Sequence, residues 1–484
     1  MRNLGLSRSI DISAYAGQQV YISFRHYDCN DKYYLVIDNI NVKNLLNVDA
    51  TLAKVSLPYY GVLSTDYTLK ATIKNNGLNP ITSVNINWND GTTDHAATIP
   101  VSNLTIGNEA TISHTIPVNY ATLVEKTMNV TLNQVNGTVD GSPLDNSLTT
   151  KFKTVSQNSP KKVLIEEGTG TWCGWCPRGM IAMEYMDTNY SNDYIGVAVH
   201  NNDPMTSTDY DTGADISSFP GMNVDRVILG EDVSQAVMTS HVQERKNLVV
   251  PAGLNASGSF VGGNLTFNAS ATFRTNFSNA TFKMAAIVME DDVVGTGAGY
   301  NQVNYYNASA TPMGMFNTAG NPVPAANMVY DHVGRILLGG YSGAANSVPT
   351  VITDGQVVNY TFTGLIPTTY NANNMKVVLL LLDSSTGEVV NARSFKLTTL
   401  GTSNEETNAN YLTIYPNPTT DYFKIQANYN VDVKMYDASG KIVLEKKNVT
   451  PDTAISTSTL SKGLYFVTLK DKNGEIKNQK LIIK

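Results

Sequence analysis

The sequence predicts a multidomain, mostly β protein in which immunoglobulin-like and jelly-roll sandwiches flank one α/β domain. Three observations carry that expectation. Charged residues make up 15% of the 484-residue chain while hydrophobic residues hold at 42%, against the ~25% charge of ordinary soluble domains. Asn, Thr, Ser, Gly and 26 tyrosines fill the deficit, a composition of short strands and polar turns. Second, alternating apolar and polar runs recur between Asn-Gly and Asp-Gly pairs, whose positive φ suits tight hairpins. Third, one segment breaks the pattern with an apolar strand, a helical stretch and a second apolar strand. That order requires a parallel, right-handed crossover.

At ~150 residues per domain, the length allows roughly three to four domains. Residues 1–45 read as a few alternating strands, too few to bury a core alone. Residues 46–156, with "YTLKATIKNNG" and "TMNVTLNQVNG", have the turn spacing of an immunoglobulin-like sandwich. His95 and His114 there have no ligand-spaced partner and read as solvated strand positions. Residues 157–250 hold the strand–helix–strand unit, "KVLIEEG" to "YIGVAVH". Residues 251–400 return to strands as a β-sandwich domain interrupted by a Gly/Asn/Pro-rich stretch, 296–326. A polar linker, 401–410, precedes a small β unit at 411–484.

A net charge of −7, thinly spread, excludes the clustered Lys and Arg that nucleic-acid phosphates need. No run approaches the ~18–20 apolar residues of a transmembrane helix; "VVLLLL" (377–382) has only strand length. The start, "MRNLGLSRSIDIS", has no apolar signal-peptide core. The sequence calls for no cofactor.

Chemistry concentrates in "EEGTGTWCGWCPRGM" (166–180), where Cys173 and Cys176 lie two residues apart. A zinc clip needs four ligands, and the third cysteine, Cys29, lies far off. Haem attachment needs a His where Pro177 stands. At a strand-to-helix junction the first cysteine would face the helix dipole and free main-chain N–H groups. Such settings lower a thiol pKa from ~8.5 to between about 3.5 and 7.5. Cys173 is then the nucleophile and Cys176 the resolving thiol. Trp172 offers an apolar platform, and Trp175 alters exposure and potential. His200 leaves the same sheet rim and could stabilise a thiolate. Glu166 points to the other face and reads as structural. Asp209, Asp211 and Asp215 are spaced like a Ca²⁺ loop, but lack its sixth-position Gly and terminal Glu. They read as a solvated turn, so no metal is expected.

"WCGWCP" after "VLIEE" resembles the thioredoxin-like fold. The resemblance implies that Glu167 is the buried acid that moves the resolving cysteine's proton, and that Phe219-Pro220 is the cis-proline facing the active site. Gly-Trp in place of Gly-Pro and Glu in place of Asp depart from that pattern. The longer set "VLIEEGTGTWCGWCPRG", "VAVHNNDPM", "FPGMNVDR", "AGYNQVNYY" and "MVYDHVGR" resembles the outer membrane protein twenty-eight-related family of Bacteroidetes. That implies a thioredoxin-like domain followed by a β-sandwich in a surface or secreted protein.

"DISAYAGQQVYISFRHYDCNDKYYLVIDNINV" resembles the closing strands of the cleaved adhesin jelly-roll family, so 1–45 is expected to be a truncated remnant. A truncated N-terminus also accounts for the missing export signal. In 411–484, Tyr415-Pro416-Asn417-Pro418, "YDASGK" and Gly463-Leu464-Tyr465 resemble the type IX secretion C-terminal sorting domain. The resemblance implies export across an outer membrane by the type IX machinery, to a setting where a disulfide persists. Two functions stay open: thiol–disulfide exchange with protein disulfides, or a non-enzymatic adhesin or scaffold for host or cell-surface ligands with a structural Cys173–Cys176 bridge.

Overall fold

The computed structural model describes residues 10, 12–25, 37, 40, 42, 45–400, 413–427, 430–437, 439–450, 453–470 and 476–484. Cys29, most of the expected jelly-roll remnant and the linker lie outside the described residues. The chain divides into two compact units, Met1–Thr398 and Thr399–Lys484. The fold is mostly β with one α/β layer, as the sequence predicts.

The first sandwich is built from β1 (Ala50–Ser56), β2 (Tyr60–Val62), β3 (Lys70–Asn75), β4 (Ile81–Asn89), β5 (Asp94–Leu104), β6 (Glu109–Ser113), β7 (Glu125–Val135), β8 (Thr138–Val139) and β9 (Ser147–Val155). One sheet runs β1-β3-β6 and the other β2-β9-β7-β4-β5, with β8 on β7. Alternation puts Ile73, Ile86, Trp88, Leu132 and Phe152 between them, each at most 2% exposed. The two histidines are not solvated strand positions. His114 is buried, with its ring nitrogens against the carbonyls of Ile116 and Ile86. His95 stacks on Trp88 at 3.6 Å. Alternation marks a face, but not the aromatic or carbonyl that waits across it.

The α/β layer follows: β10 (Val163–Thr169), α1 (Pro177–Tyr190), β11 (Tyr194–His200), α2 (Thr208–Ala214), β12 (Gly221–Val224), β13 (Ile228–Glu231) and α3 (Gln235–Arg245). β10 and β11 pair in parallel, Val163 opposite Tyr194 through Thr169 opposite His200. β12 lies antiparallel on the other side of β10 and turns back into β13. Pro177 opens α1 at a position where a missing N–H costs nothing. The Ser234 side chain accepts from Val237 N to cap α3. Met183 and Met186 of α1 and Met238 and Val242 of α3 bury against Val163 and Ile165.

The remaining strands of this unit are β14 (Ala252–Val261), β15 (Asn264–Phe273), β16 (Phe282–Glu290), β17 (Val333–Leu338), β18 (Val357–Leu365), β19 (Met375–Asp383) and β20 (Val389–Lys396). Four of them extend the α/β sheet across the boundary expected at 250, giving the order β13-β12-β10-β11-β17-β16-β19-β20. Only β14-β15-β18 stand as a separate sheet. The physical reason lies in β19: Val377–Leu382 are buried without alternation, and such a strand needs cover on both faces.

Two buried ionic groups lock this sheet. Arg226 makes a bidentate pair with Glu166, at 3.0 and 2.7 Å, and stacks on Tyr341 at 3.5 Å. Tyr210 and Tyr341 hydroxyls complete the Glu166 carboxylate, so this residue is structural, as its strand face implies. Beside it, Asp225 takes Lys161 at 2.8 Å, Arg245 at 2.6 Å and the Leu164 amide at 2.9 Å.

The second unit comprises β21 (Thr413–Tyr415), β22 (Tyr422–Gln426), β23 (Val431–Tyr436), β24 (Ile442–Val449), β25 (Ile455–Ser456), β26 (Gly463–Lys470) and β27 (Ile476–Ile483). Sheets β21-β22-β25 and β24-β23-β26-β27 enclose Phe423, Val433, Met435, Val467, Leu469 and Leu481. The Tyr415-Pro416 and Asn417-Pro418 peptides are both cis. Asn417 donates to Lys480 O and accepts from Ile482 N, fastening that turn to β27. Gly463, Leu464 and Tyr465 open β26 opposite Ile483, Ile482 and Leu481. The Tyr465 hydroxyl donates to Ser461 O.

Candidate functional site

Cys173 and Cys176 form a disulfide in the turn between β10 and α1, with Cα atoms 5.4 Å apart. Cys176 is the N-cap of α1, so the pair does sit at the mouth of a helix. Cys173 is only 5% exposed and Cys176 not at all.

The cover comes from the Gly/Asn/Pro-rich stretch. Val303 N donates to Thr171 O at 2.7 Å and Tyr305 N to Gly174 O at 2.9 Å, laying 302–305 along the cysteine turn as a strap. The Gln302 side chain donates to Cys173 O, which also accepts from Cys176 N. Trp175, 51% exposed, has the rings of Tyr305 and Tyr306 at 5.3 Å each. A Cβ on Gly174 would lie 2.5 Å from the Tyr305 ring, so only glycine admits the strap here. Trp172 stays 45% exposed, its indole N–H on Asn201 O and its ring 5.3 Å from Phe219. Phe219-Pro220 is a cis peptide immediately before β12. The Trp172–Phe219 contact therefore sets Phe219-Pro220 beside the cysteine turn.

Glu167 lies beneath the first turn of α1. A Cβ on Gly179 would come within 2.1 Å of its Oε1, which has no hydrogen-bond partner among the described residues. Burial pushes its carboxyl well above the ordinary range, with nearby Arg178 opposing. A cavity of about 90 Å³ behind α1 joins Glu167 to Met183, Asp187, His200, Tyr330 and His332.

His200 lines that cavity. Its Nδ1 pairs with Asp203 Oδ2 at 2.7 Å, with both side chains nearly sealed. Asp203 Oδ2 also accepts from Thr171 N. Burial pushes the Asp203 carboxyl up, but the His200 hydrogen bond and charge, with main-chain donors at Met205 and Thr171, hold it below the usual range. The pair acts as a bracket for the cysteine turn.

The spaced aspartates do not converge. Asp209 and Asp211 ride on α2, Asp211 holds Asn201 Nδ2, and Asp215 caps the helix with φ 47°. Among the described residues, the acidic group that does converge is Asp49, Asp140 and Asp145 in the first sandwich. Their separation in sequence hid them. The Gln302–Tyr305 strap was missed for the same reason, although the low-charge 296–326 insertion was visible.

Residues 413–484 match the family described as the secretion system C-terminal sorting domain, and residues 4–42 match the Cleaved Adhesin Domain. The chain is a secreted or cell-surface protein. The chain is 33% identical over 72 residues to beta-agarase D of Zobellia galactanivorans, covering 15% of each chain. It is 54% identical over 35 residues to hemagglutinin A of Porphyromonas gingivalis, covering 7% of this chain and 2% of that protein. It therefore spans only a small part of these relatives' length. Among solved structures, HBP35 of Porphyromonas gingivalis aligns at 16% identity over 67% of this chain and 99% of that chain, with a TM-score of 0.39. The CARDB domain of a Pyrococcus furiosus protein aligns at 16% identity over 24% of this chain and 100% of that chain, with a TM-score of 0.20. No helix among the described residues is long and apolar enough to cross a membrane.

Proposed function

We propose that this chain is a non-enzymatic surface adhesin or scaffold, exported by the type IX machinery, in which Cys173–Cys176 is a structural staple. The observation that carries the reading is the strap. Gln302 and Tyr305 hydrogen-bond the main chain of the cysteine turn, and Cys173 is 5% exposed. Exchange requires an incoming thiolate to reach a sulfur in line, and the strap lies over the turn that carries it. The adhesin match at 4–42 and the sorting-domain match at 413–484 support the location in which such a scaffold would act. Its ligands would be host or cell-surface molecules.

The second reading is thiol–disulfide exchange by a thioredoxin-like domain, as the outer membrane protein twenty-eight-related resemblance implies. The Phe219-Pro220 segment beside the cysteine turn and the sealed Glu167, whose carboxyl burial pushes up, favour it. On this reading the domain runs from 157 to about 398, with β14, β15, β18 and the strap as insertions.

A redox titration of the full chain with thiol labelling separates the two. A staple resists mild reductant, with a potential below ~−300 mV and neither thiol labelled. Labelling of Cys173 alone at a potential between about −120 and −270 mV would establish the exchanger instead.

A further inference from the structure

The first sandwich brings three carboxylates to one point, with an amide side chain beside them. One carboxylate oxygen from each of Asp49, Asp140 and Asp145 lies within 4.8 Å of the others. Oxygens bound to a single Ca²⁺ at 2.3–2.6 Å sit no more than ~5 Å apart, so the spacing fits one ion. Asp49 and Asp140 are 5% and 4% exposed. The ion pairs Lys126–Asp90 and Lys153–Glu125 of this sandwich involve neither Asp140 nor Asp145.

An independent observation comes from Asn146, which is 4% exposed. Its Nδ2 donates to Asp140 Oδ2 at 3.0 Å, seating the amide against the cluster. Its Oδ1 is sealed from solvent with no hydrogen-bond partner among the described residues. An orphaned buried carbonyl costs ~1–3 kcal/mol, and a cation would remove that cost. Asp145 is in the same position: Thr51 donates to its Oδ2, while its Oδ1 is buried without a partner among the described residues. The Asn146 backbone is itself fixed, its carbonyl accepting from Leu132 N.

We propose that Asp49, Asp140, Asp145 and the Asn146 carbonyl hold a hard divalent cation of the calcium class. All the donors are oxygen and three are carboxylates, the set that selects Ca²⁺ over the softer transition metals. The site joins the segment leading into β1 to the loop after β8. These two segments already touch through Gly141 N on Val48 O, where a Cβ would lie 2.8 Å from that oxygen. The ion clamps the point at which the preceding chain enters the sandwich, and its removal loosens that joint.

The test is calorimetric titration of the chelator-treated full chain with CaCl₂, with thermal melting in parallel. The expected result is saturable binding of one ion with Kd at or below ~10⁻³ M, the range of extracellular sites, and a higher melting temperature. Asp145→Asn keeps the Thr51 contact and should weaken binding by about tenfold or more through the lost ligand charge. Asp49→Asn serves the same purpose should that variant not fold. No heat of binding up to about 10 mM CaCl₂, or unchanged binding in a folded variant, overturns the proposal.

Discussion

The Gln302 side-chain amide donates to the carbonyl oxygen of Cys173 at 2.9 Å. That one bond ties a loop of the second half of the unit to the turn that holds the disulfide. Replacing Gln302 with Ala leaves a buried carbonyl one donor short, at ~1–3 kcal/mol. The expected outcome is a strap that opens more often, raising the labelling rate of Cys173 under mild reductant by about five- to a hundred-fold. Mass spectrometry of the alkylated full chain reads this directly; an unchanged rate would mean that the strap does not gate the sulfurs.

Glu167 should make stability fall as pH rises. Its folded-state carboxyl is raised above the ordinary value of 4.5 by burial. Between that value and the raised one, the folded chain holds a proton that the unfolded chain has released. Stability is therefore intact below about pH 4.5 and declines by up to ~1.4 kcal/mol per pH unit above it. Glu167→Gln removes the titration, so its stability advantage should widen with pH through this window. Denaturant midpoints of both proteins at several pH values check the sign.

Arg226 should tolerate no replacement that leaves Glu166 unpaired. Arg226→Met strands a fully buried carboxylate, for an expected loss of ~3–5 kcal/mol. Arg226→Lys should recover only part of it, because an ammonium cannot fork onto both oxygens or stack on Tyr341. Chemical denaturation of the three proteins ranks them.

Deleting 413–484 should abolish appearance of the chain at the cell surface or in the medium while leaving the first unit folded. The second unit has its own core around Phe423, Val433 and Leu481, and the first has cores of its own on which it is expected to fold. Cell fractionation with circular dichroism of the shortened chain tests both halves of this statement.

What sequence reading reached was local. Pro177 after Cys176 marked the helix start, Phe219-Pro220 the cis turn, and the alternation in "TMNVTLNQVNG" the sandwich strand β7. What it missed was held by long-range pairing. The apolar run of β19 signalled burial on two faces, but not that β16, β17, β19 and β20 would complete the sheet begun by β10. His200 lay on the predicted rim, yet its role turned on Asp203. The domain boundary expected at 250 followed composition, whereas hydrogen bonding ignored it.

The strand Val377–Leu382 has one more implication, for the chain before it folds. Six consecutive apolar residues with high strand propensity form the kind of segment that nucleates aggregates when unpaired. Its neighbours β16 and β20 shield it once the sheet is complete. Until then the charges at either end, Lys376 and Asp383, are its gatekeepers. The same two side chains later settle on Asp291 and Thr281. An exported polypeptide thus carries its own solubility device through transit and reuses it as a fastening on arrival.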